Sequence, residues 1–244
     1  MKVISWNLLR QIGATVEDVA ALVKEHRPDL LLLQEATKEL EALPTFVGGH
    51  FHRVPLPDRI HGLAAWSPHP FPRPQAVPLP VSRMPGRVPP RVAQLVRMGD
   101  ITFANVHLSH GQLLNRRQLV RIASRLEGPA AVIGDYNAFG PIVLHGFRDV
   151  GPREATHIQQ SLLRFRLDRC LVRGLSCVSA RTLKKGKSDH RPIVLDLRVA
   201  EERVHKGSGR RALERLTSTR FFKEARSSRV FGRARGPRPD PTIK

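Results

Sequence analysis

The amino-acid sequence predicts a mixed α/β fold in which two β-sheets stack on each other and helices cover them. Short continuous apolar runs such as Leu30–Leu33 and Ala130–Ile133 are typical of strands that are covered on both faces. Segments with helical periodicity alternate with these runs. Residues 67–90 carry nine prolines and therefore form turns and edge strands at best. This interleaving favours a two-sheet sandwich over a purely parallel, doubly wound sheet.

Local patterns predict the other elements. Thr15 followed by Asp18 marks a helix N-terminus, because a hydroxyl and a carboxylate at this spacing cap each other's backbone amides. An apolar stripe continues this helix until Pro28 ends it. Two further helices are predicted over Thr37–Leu43 and Leu113–Leu126. Further strands are predicted at Lys2–Trp6, Ile101–Val106, Phe165–Val172 and Pro192–Val199.

The chain is strongly basic and its charge is unevenly distributed. Its 244 residues include 41 Lys+Arg and 21 Asp+Glu, a formal net charge of +20, which attracts polyanions such as nucleic acid. Residues 201–244 hold 13 Lys+Arg and 5 Asp+Glu, a net of +8, which leaves +12 for residues 1–200. We therefore divide the chain into a folded domain, 1–199, and a basic tail, 200–244, too poor in apolar residues to order itself. The tail either tethers nucleic acid or only keeps the protein in solution.

Three absences narrow the class of protein. The sequence has no run of about eighteen apolar residues, so a membrane-spanning helix is excluded. The N-terminus reads directly as a strand and lacks the charged and apolar regions of a signal peptide. Cys170 and Cys177 are too few for a disulfide framework or a structural zinc site, and we expect buried thiols. These features favour a cytoplasmic protein, and we expect a monomer.

Polar side chains stand at the ends of the predicted strands. They are Asn7, Gln34, Glu35, His107, Asp135, Asn137, Asp168, Asp189 and His190. Each one alone has an ordinary explanation as a helix cap, a loop hydrogen bond or a buried side chain. Together they predict a functional site, because strand ends that meet at one rim are where α/β folds build their sites.

The motifs around these residues resemble those of the endonuclease/exonuclease/phosphatase superfamily. The matching segments are Ser5-Trp6-Asn7, Leu33-Gln34-Glu35, Asn105-Val106-His107-Leu108, Gly134-Asp135-Tyr136-Asn137, Arg166-Leu167-Asp168 and Ser188-Asp189-His190-Arg191-Pro192. They follow the family's order across residues 1–199, and His61–Ser67 resembles a further strand of the family, with Pro68 in place of its usual basic residue. The resemblance implies a DNase-like, four-layered α/β/β/α sandwich and a metal-dependent phosphoester hydrolase over this domain.

The chemistry of the reaction predicts a metal site. Phosphodiester hydrolysis requires charge neutralisation on the non-bridging oxygens, an aligned water and assistance to the leaving oxygen. Carboxylate and amide oxygens suit Mg²⁺ or Mn²⁺. Glu35 is therefore the leading metal ligand, with Asn7 beside it, as the resemblance also implies. Asp189 is expected to contact the metal directly or through water.

The remaining residues of the motifs have predicted roles in catalysis. His190 is the candidate general base or phosphate-polarising group, and Asp168 orients and stabilises its imidazole. Asp135 positions the attacking water, and Asn137 donates a hydrogen bond to the developing phosphorane charge. His107 supplies a second imidazole on the leaving-group side.

His107 also distinguishes between branches of the superfamily. AP endonucleases usually lack a histidine in this strand. The segment Asn105-Val106-His107-Leu108 looks more like that of deoxyribonucleases, sphingomyelinases and inositol-phosphate phosphatases. We therefore place the chain closer to that branch than to the AP endonucleases.

Two basic residues are candidate substrate contacts. Arg116 lies in a helical segment, Arg116-Arg117-Gln118, that is similar to one in the same branch. Lys187 ends a basic run before the serine of the last motif, where a solvated loop is an equally good explanation. The other histidines match no metal-ligand spacing and are treated as background, with His110 the first exception because it lies close to His107.

These observations predict a divalent-metal-dependent phosphodiester hydrolase that acts on nucleic acid as an endonuclease or exonuclease. The first alternative is a phosphodiesterase or phosphatase of the same fold that acts on a small molecule or a lipid headgroup. The domain's charge favours nucleic acid, whereas the lack of an evident minor-groove insertion favours the alternative. The second alternative is a non-catalytic nucleic-acid-binding module, which would predict erosion of the polar set, and none of that set is eroded.

Overall fold

Residues 1–82, 89–159 and 163–200 are described by the computed structural model. The strands, in chain order, are β1 (Lys2–Asn7), β2 (Leu30–Ala36), β3 (His50–Pro55), β4 (Gly62–Ser67), β5 (Gln75–Pro78), β6 (Val92–Met98), β7 (Ile101–His107), β8 (Ala130–Asp135), β9 (Arg148–Asp149), β10 (His157–Gln159), β11 (Leu163–Phe165), β12 (Asp168–Arg173), β13 (Leu175–Thr182) and β14 (Ile193–Val199). The helices are α1 (Val16–His26), a 3-10 helix (Lys38–Ala42), α2 (Leu43–Val47) and α3 (Gln112–Ala123).

Two six-stranded sheets form the centre of the domain. The first has the strand order β13-β14-β1-β2-β4-β3, and the second has the order β5-β6-β7-β8-β12-β9. Each sheet contains one central parallel pair, β1 with β2 and β7 with β8, and its other pairings are antiparallel. The carboxyl ends of these four parallel strands carry Asn7, Glu35, His107 and Asp135, which the sequence predicts to meet at one rim.

Three apolar layers separate the sheets from each other and from the helices. Leu30 and Leu32 of β2 pack between the two sheets, whereas Leu31 and Leu33 pack towards α1. A third core joins the second sheet to α3. Because β2 buries side chains on both faces, its apolar run is continuous rather than alternating. The predicted four-layered α/β/β/α sandwich is confirmed.

The first helix forms as its capping pattern predicts. The Thr15 hydroxyl accepts from the Asp18 amide, and the Asp18 carboxylate accepts from the Thr15 amide at 2.9 Å. The chain leaves α1 at Arg27 in a left-handed conformation, one residue before Pro28. The second predicted helix, over Thr37–Leu43, is instead a 3-10 turn followed by the short helix α2.

The prediction of a strand over Phe165–Val172 is wrong at its start, because the strand begins at Asp168. Phe165 ends β11, a strand of a separate hairpin with β10, and β12 begins at Asp168. Arg166 turns away to form a two-pronged ion pair with Asp149, both contacts at 2.8 Å. Thr156 Oγ1 accepts the next two backbone amides, those of Leu167 and Asp168, at 3.0 and 2.9 Å. These contacts hold the break that presents Asp168 at the rim.

A buried polar network joins the two sheets beneath the rim. Gln34 Nε2 donates to Asn105 Oδ1 at 2.8 Å, across the space between β2 and β7. Asn105 Nδ2 donates in turn to the carbonyls of Leu33 and Ala64 and to Gln94 Oε1, at 3.0 to 3.1 Å. The network fixes the distance between the two sheets. Gln34 therefore has a structural role, although the sequence places it among the candidate site residues.

Four further predictions concern the proline-rich segment, the two cysteines, a membrane-spanning helix and the basic tail. The proline-rich segment contributes β5, an edge strand, as expected. Cys170 is buried and Cys177 half-buried, and both are free thiols. Within the described ranges, no helix is long and apolar enough to cross a membrane. The predicted basic tail, 200–244, lies outside the described residues except for Ala200.

Candidate active site

The closest side-chain pair at the rim joins Asp168 to His190. Asp168 Oδ2 lies 2.7 Å from His190 Nδ1, and both side chains are buried. Ser188 fixes the backbone of His190, because its Oγ accepts the His190 amide at 3.0 Å and donates to the Asn7 carbonyl at 2.6 Å. Trp6 Nε1 donates to the His190 carbonyl at 3.0 Å. The first and last motifs therefore hold each other in place.

Asp135 lies between the two predicted catalytic imidazoles. Its Oδ2 is 3.8 Å from His190 Nε2 and 3.5 Å from His107 Nε2, and it accepts a hydrogen bond from Asn7 Nδ2 at 3.0 Å. Its Oδ1 accepts the backbone amide of Asn137 at 2.8 Å. The pairing of β8 with β12 sets Asp135 directly opposite Asp168. Four predicted residues thus surround this carboxylate, and a fifth, Asp168, lies opposite it in the sheet.

The glycine before Asp135 is required by close packing. A Cβ atom on Gly134 would lie 2.1 Å from the Val106 carbonyl oxygen, and the residue has a φ of +141°. Only glycine adopts this backbone region without strain. The motif glycine therefore lets β8 approach β7 at the point where Asp135 enters the site.

Charges at this centre shift several pKa values. Burial alone would lower the pKa of His190, but the charges of Asp168 and Asp135 outweigh it and raise the pKa to about 10. Burial raises the pKa of Asp135, with the charge of His190 acting against it. Burial and the charge of Arg91 keep the pKa of His107 well below its ordinary value. At neutral pH, His190 is thus an imidazolium and His107 a neutral imidazole.

Glu35 forms the opposite side of the centre. Its Oε2 accepts from the Arg10 amide at 3.0 Å and from Arg10 Nη1 at 3.1 Å, and its Oε1 lies 4.0 Å from His107 Nδ1. Glu35 has a φ of 57° and Asn137 a φ of 47°, left-handed conformations that are costly for residues other than glycine. Two of the six non-glycine residues with positive φ in the described ranges thus belong to the predicted site, where such strain is common.

The side chains at Glu35 and Asn7 fit a hard divalent cation. Asn7 pairs in the β1–β2 register with Gln34, the residue before Glu35, and its Oδ1 accepts the Leu9 amide at 3.2 Å. Among the described residues, Glu35 Oε1 accepts no hydrogen bond, so an anionic oxygen is left for a ligand. Carboxylate and amide oxygens are the donors that Mg²⁺ and Mn²⁺ take in proteins.

Asp189 lies beside His190 but has a partner that the sequence did not indicate. Its Oδ2 is 3.2 Å from His157 Nε2. Burial would raise the pKa of Asp189, but the His157 contact and the charge of His190 outweigh it and lower the pKa. The ring of His157 stands 4.7 Å from that of His190, and these three residues offer ligand atoms within 4.8 Å of one another. No motif or residue spacing in the sequence identifies His157 as part of the site.

The sequence does not identify two further residues at the rim as part of the site. His61 is buried directly before β4, and Arg91 is half-buried directly before β6. Burial lowers the pKa of both groups, and the charge of Glu35 acts on both in the opposite direction. The family-like strand after His61 was a usable signal for that residue, whereas Arg91 stands in a proline-rich stretch without one.

The two predicted substrate contacts lie apart from the hydrogen-bonded cluster. Lys187 Nζ is 3.0 Å from Asp18 Oδ2 at the start of α1, and the lysine side chain is well exposed. Arg116 is exposed on α3 and lines a cavity of about 180 Å³ together with Phe139 and Val143. This cavity also includes Ala138, the residue after Asn137. Neither basic residue makes a described contact with Asp135 or His190.

Comparison with known proteins extends the resemblance to the whole domain. A model of the Endonuclease/Exonuclease/phosphatase family matches residues 4–190. No curated protein matches the chain.

Several solved structures share the fold. The mannosyl-6-phosphatase of Bacteroides thetaiotaomicron is 17% identical, with a TM-score of 0.64 over 81% of this chain and 99% of that chain. The human Nocturnin catalytic domain with bound sulfate anion is 18% identical, with a TM-score of 0.63 over 82% and 94%. Humanized TDP2 of D. rerio is 16% identical, with a TM-score of 0.64 over 81% and 98%. The family match and the site motifs together establish that the chain belongs to the endonuclease/exonuclease/phosphatase family of phosphoester hydrolases.

Proposed function

We propose that the protein is a divalent-metal-dependent phosphodiesterase that hydrolyses nucleic acid. The observation that carries the proposal is the position of Asp135, which faces His190 at 3.8 Å and His107 at 3.5 Å and accepts a hydrogen bond from Asn7 at 3.0 Å. The carboxylate of Asp135, the imidazolium of His190 and the neutral imidazole of His107 thus lie close together where the strands end. Such an arrangement suits a reaction in which a phosphate changes its charge and a water loses a proton.

Glu35 and Asn7 are the residues that would hold the metal ion. When bound, a divalent ion neutralises charge on the non-bridging oxygens of the phosphate. Arg10 shields the outer oxygen of Glu35 and leaves the inner one free. Asp189 is paired with His157 instead, so we assign it a supporting role at His190 rather than a place beside Glu35.

Each remaining residue acts on a defined part of the reaction. The imidazolium of His190 donates from Nε2 to a phosphate oxygen, while Asp168 on Nδ1 fixes its orientation and charge. This favours the phosphate-polarising role over the general-base role. Asp135, whose pKa is raised by burial, takes the proton of the attacking water. Asn137 donates one amide hydrogen to the Leu108 carbonyl at 3.0 Å and keeps the other for the phosphorane.

His107 serves the opposite side of the phosphate. Because burial and neighbouring cations keep it neutral, it carries a proton on only one of its two nitrogens. Its Nε2 lies 3.5 Å from Asp135, so a hydrogen on this nitrogen points into the centre. We propose that this N–H donates a hydrogen bond to the leaving oxygen and stabilises its developing charge without transfer of the proton.

Charge supports nucleic acid as the substrate. Residues 1–200 carry a net +12 after the tail's +8 is removed from the total of +20. A strand of nucleic acid presents one negative charge per nucleotide, and a basic domain binds it by releasing counterions. The competing candidate is a phosphatase for a small phosphate ester, since a mannosyl-6-phosphatase shares the fold.

One assay tests the proposal and its competitor together. Purified protein with Mg²⁺ or Mn²⁺ is given plasmid DNA, an AP-site duplex, RNA, bis-p-nitrophenyl phosphate and p-nitrophenyl phosphate. We expect cleavage of a nucleic acid and of the diester, and none after chelation with EDTA. Hydrolysis of the monoester alone would establish a phosphatase instead.

A further inference from the structure

Two buried nitrogen atoms on the Glu35 side of the centre, His61 Nδ1 and Arg91 Nε, lack a hydrogen-bond partner among the described residues. His107 Nδ1 lacks one as well, but it bears no hydrogen in the tautomer assigned above. Buried polar atoms in folded proteins are nearly always paired, because an unpaired one forfeits its hydration. Since Arg91 Nε can only donate, this pair of atoms indicates a ligand that supplies an acceptor.

The strand registers bring these residues to the same end of the two sheets. Gly62 pairs with Ala36, the last residue of β2, so His61 lies just past the end of that strand in the first sheet. In the second sheet, Ala93 pairs with Val106, which puts the residues before β6 at the end of β7 where His107 lies. The charge of Arg91 accordingly acts on His107. The charge of Glu35 acts on both His61 and Arg91.

Charge at this place favours an anionic ligand. The charges that act most on Arg91 are the attractive Asp135 and Glu35 and the repulsive Arg10 and Arg59. Burial lowers the pKa of His61, and Arg10 and Arg91 lower it further. Arg91 and Arg10, which repel each other, are stabilised when an anion enters between them. A phosphate also accepts two hydrogen bonds from one guanidinium.

His61 and Arg91 lie on the metal-ligand side of the centre and make no described contact with the Asp168–His190 pair. The charges that act most on His190 are those of Asp168, Asp135 and Asp189. Those that act most on His61 are Glu35 and its neighbouring arginines. His107 lies between the two groups of residues, with Nε2 at 3.5 Å from Asp135 and Nδ1 at 4.0 Å from Glu35.

We infer that His61 and Arg91, with Arg10 at the outer edge, form a subsite for a second phosphate of the substrate, one that is bound and not hydrolysed. The inference rests on the proposed function, because it names the neighbouring phosphate of a nucleic-acid strand as the ligand. The subsite would distinguish a nucleic-acid strand from a simple diester, because a simple diester carries no second phosphate. Arg91 and His61 then select the substrate without touching the bond that breaks.

The test compares three dinucleotides that differ only in a terminal phosphate. Thymidine dinucleotide is measured without a terminal phosphate, with a 5′-phosphate and with a 3′-phosphate, in wild-type protein and in Arg91→Gln and His61→Gln. We expect one of the two terminal phosphates to raise kcat/KM by about tenfold or more, as charge-assisted hydrogen bonds do. Both variants should reduce this gain to about twofold or less. Arg97→Gln is the matched control, since Arg97 lies in β6 at the other end of the strand and donates to the Gly99 carbonyl.

Two results would overturn the subsite while leaving the proposed function intact. The first is a wild-type protein that hydrolyses all three dinucleotides equally well. The second is an Arg91→Gln protein that loses the same factor on all three, which would assign Arg91 to the hydrolysed phosphate. Failure to cleave any dinucleotide or polymer would instead count against the proposed function. Calorimetric titration of the metal-free protein with inorganic phosphate gives a second readout, in which His61→Gln and Arg91→Gln should each weaken binding and Arg97→Gln should not.

Discussion

The Asp168 carboxylate lies 2.7 Å from His190 Nδ1, and the opposite nitrogen of the same imidazole faces Asp135 at 3.8 Å. His190 is therefore enclosed by two carboxylates that come from neighbouring strands of one sheet, while the histidine itself precedes the last strand of the other. The arrangement makes this imidazole a buried cation held in one orientation. The predictions below depend on that state.

The titration of His190 should be displaced to high pH. Its pKa of about 10 lies above the ordinary value of 6.5 because the negative charges of Asp168 and Asp135 outweigh burial. The charged imidazole stabilises the folded state fully below pH 6.5, and this contribution disappears as the pH rises through about 10. NMR titration of the imidazole should show this pKa, and Asp168→Asn should lower it. A wild-type pKa near 6.5 would contradict the enclosed-cation description.

Removal of the Glu35 charge should abolish metal-supported activity. Glu35→Gln keeps an acceptor for Arg10 and removes the anionic oxygen that faces the centre. We expect Mn²⁺ affinity and hydrolysis at ordinary Mg²⁺ to fall together, with the melting temperature nearly unchanged, while excess Mn²⁺ restores a little activity. Glu39→Gln, on the exposed face of the 3-10 helix, is the control. Normal Mn²⁺ binding by Glu35→Gln would remove Glu35 from the metal site.

His107 should contribute separately from the Asp168–His190 pair. It is neutral and lies on the other side of Asp135. His107→Ala should lower kcat, and its effect should combine nearly additively, in free energy, with that of His190→Ala. Steady-state kinetics of both single variants and the double variant measure this. A double variant no slower than His190→Ala alone would show that the two histidines act as one unit.

The basic tail should affect polymers and not small substrates. A protein that ends at Ala200 keeps the backbone hydrogen bond from Ala200 to the Gly174 carbonyl and loses a net charge of +8 carried by residues 201–244. If the tail binds phosphates, its removal should weaken nucleic-acid binding and flatten the salt dependence of the affinity. Hydrolysis of bis-p-nitrophenyl phosphate should be unaffected. An unchanged salt slope would identify a tail that only aids solubility.

Much of the fold and the list of site residues could be predicted because the signals are local or belong to motifs. The Thr15–Asp18 cap, the two-faced burial of β2 and the edge position of β5 each follow from a few consecutive residues. The motif residues Asn7, Asp135 and His190 do meet at one rim.

The remaining features depend on contacts between distant segments. The break before Asp168 is held by Thr156 and by the pairing of Arg166 with Asp149, 17 residues earlier. His157, the partner of Asp189, lies 32 residues before it in a segment without a family motif. Strand propensity alone therefore predicts a strand that starts too early, at Phe165 instead of Asp168. Residue spacing alone does not reveal that Thr156 and His157 are hydrogen-bond partners of site residues.

The central claim is that Asp168 and His190 act together on a phosphodiester. The most direct measurement is a double-mutant cycle of kcat on bis-p-nitrophenyl phosphate with Mg²⁺ or Mn²⁺, using His190→Ala, Asp168→Asn and the double variant, with melting temperatures recorded for each. We expect His190→Ala to lower kcat by roughly 10²–10⁴-fold and the double variant to be scarcely slower, because the carboxylate acts only through the imidazole. The melting temperature of His190→Ala should also fall, because two buried carboxylates lose their cation, and Asp168→Asn should restore part of that loss in the double variant. Fully additive losses of kcat, measured at a temperature at which every variant is folded, would contradict the pairing.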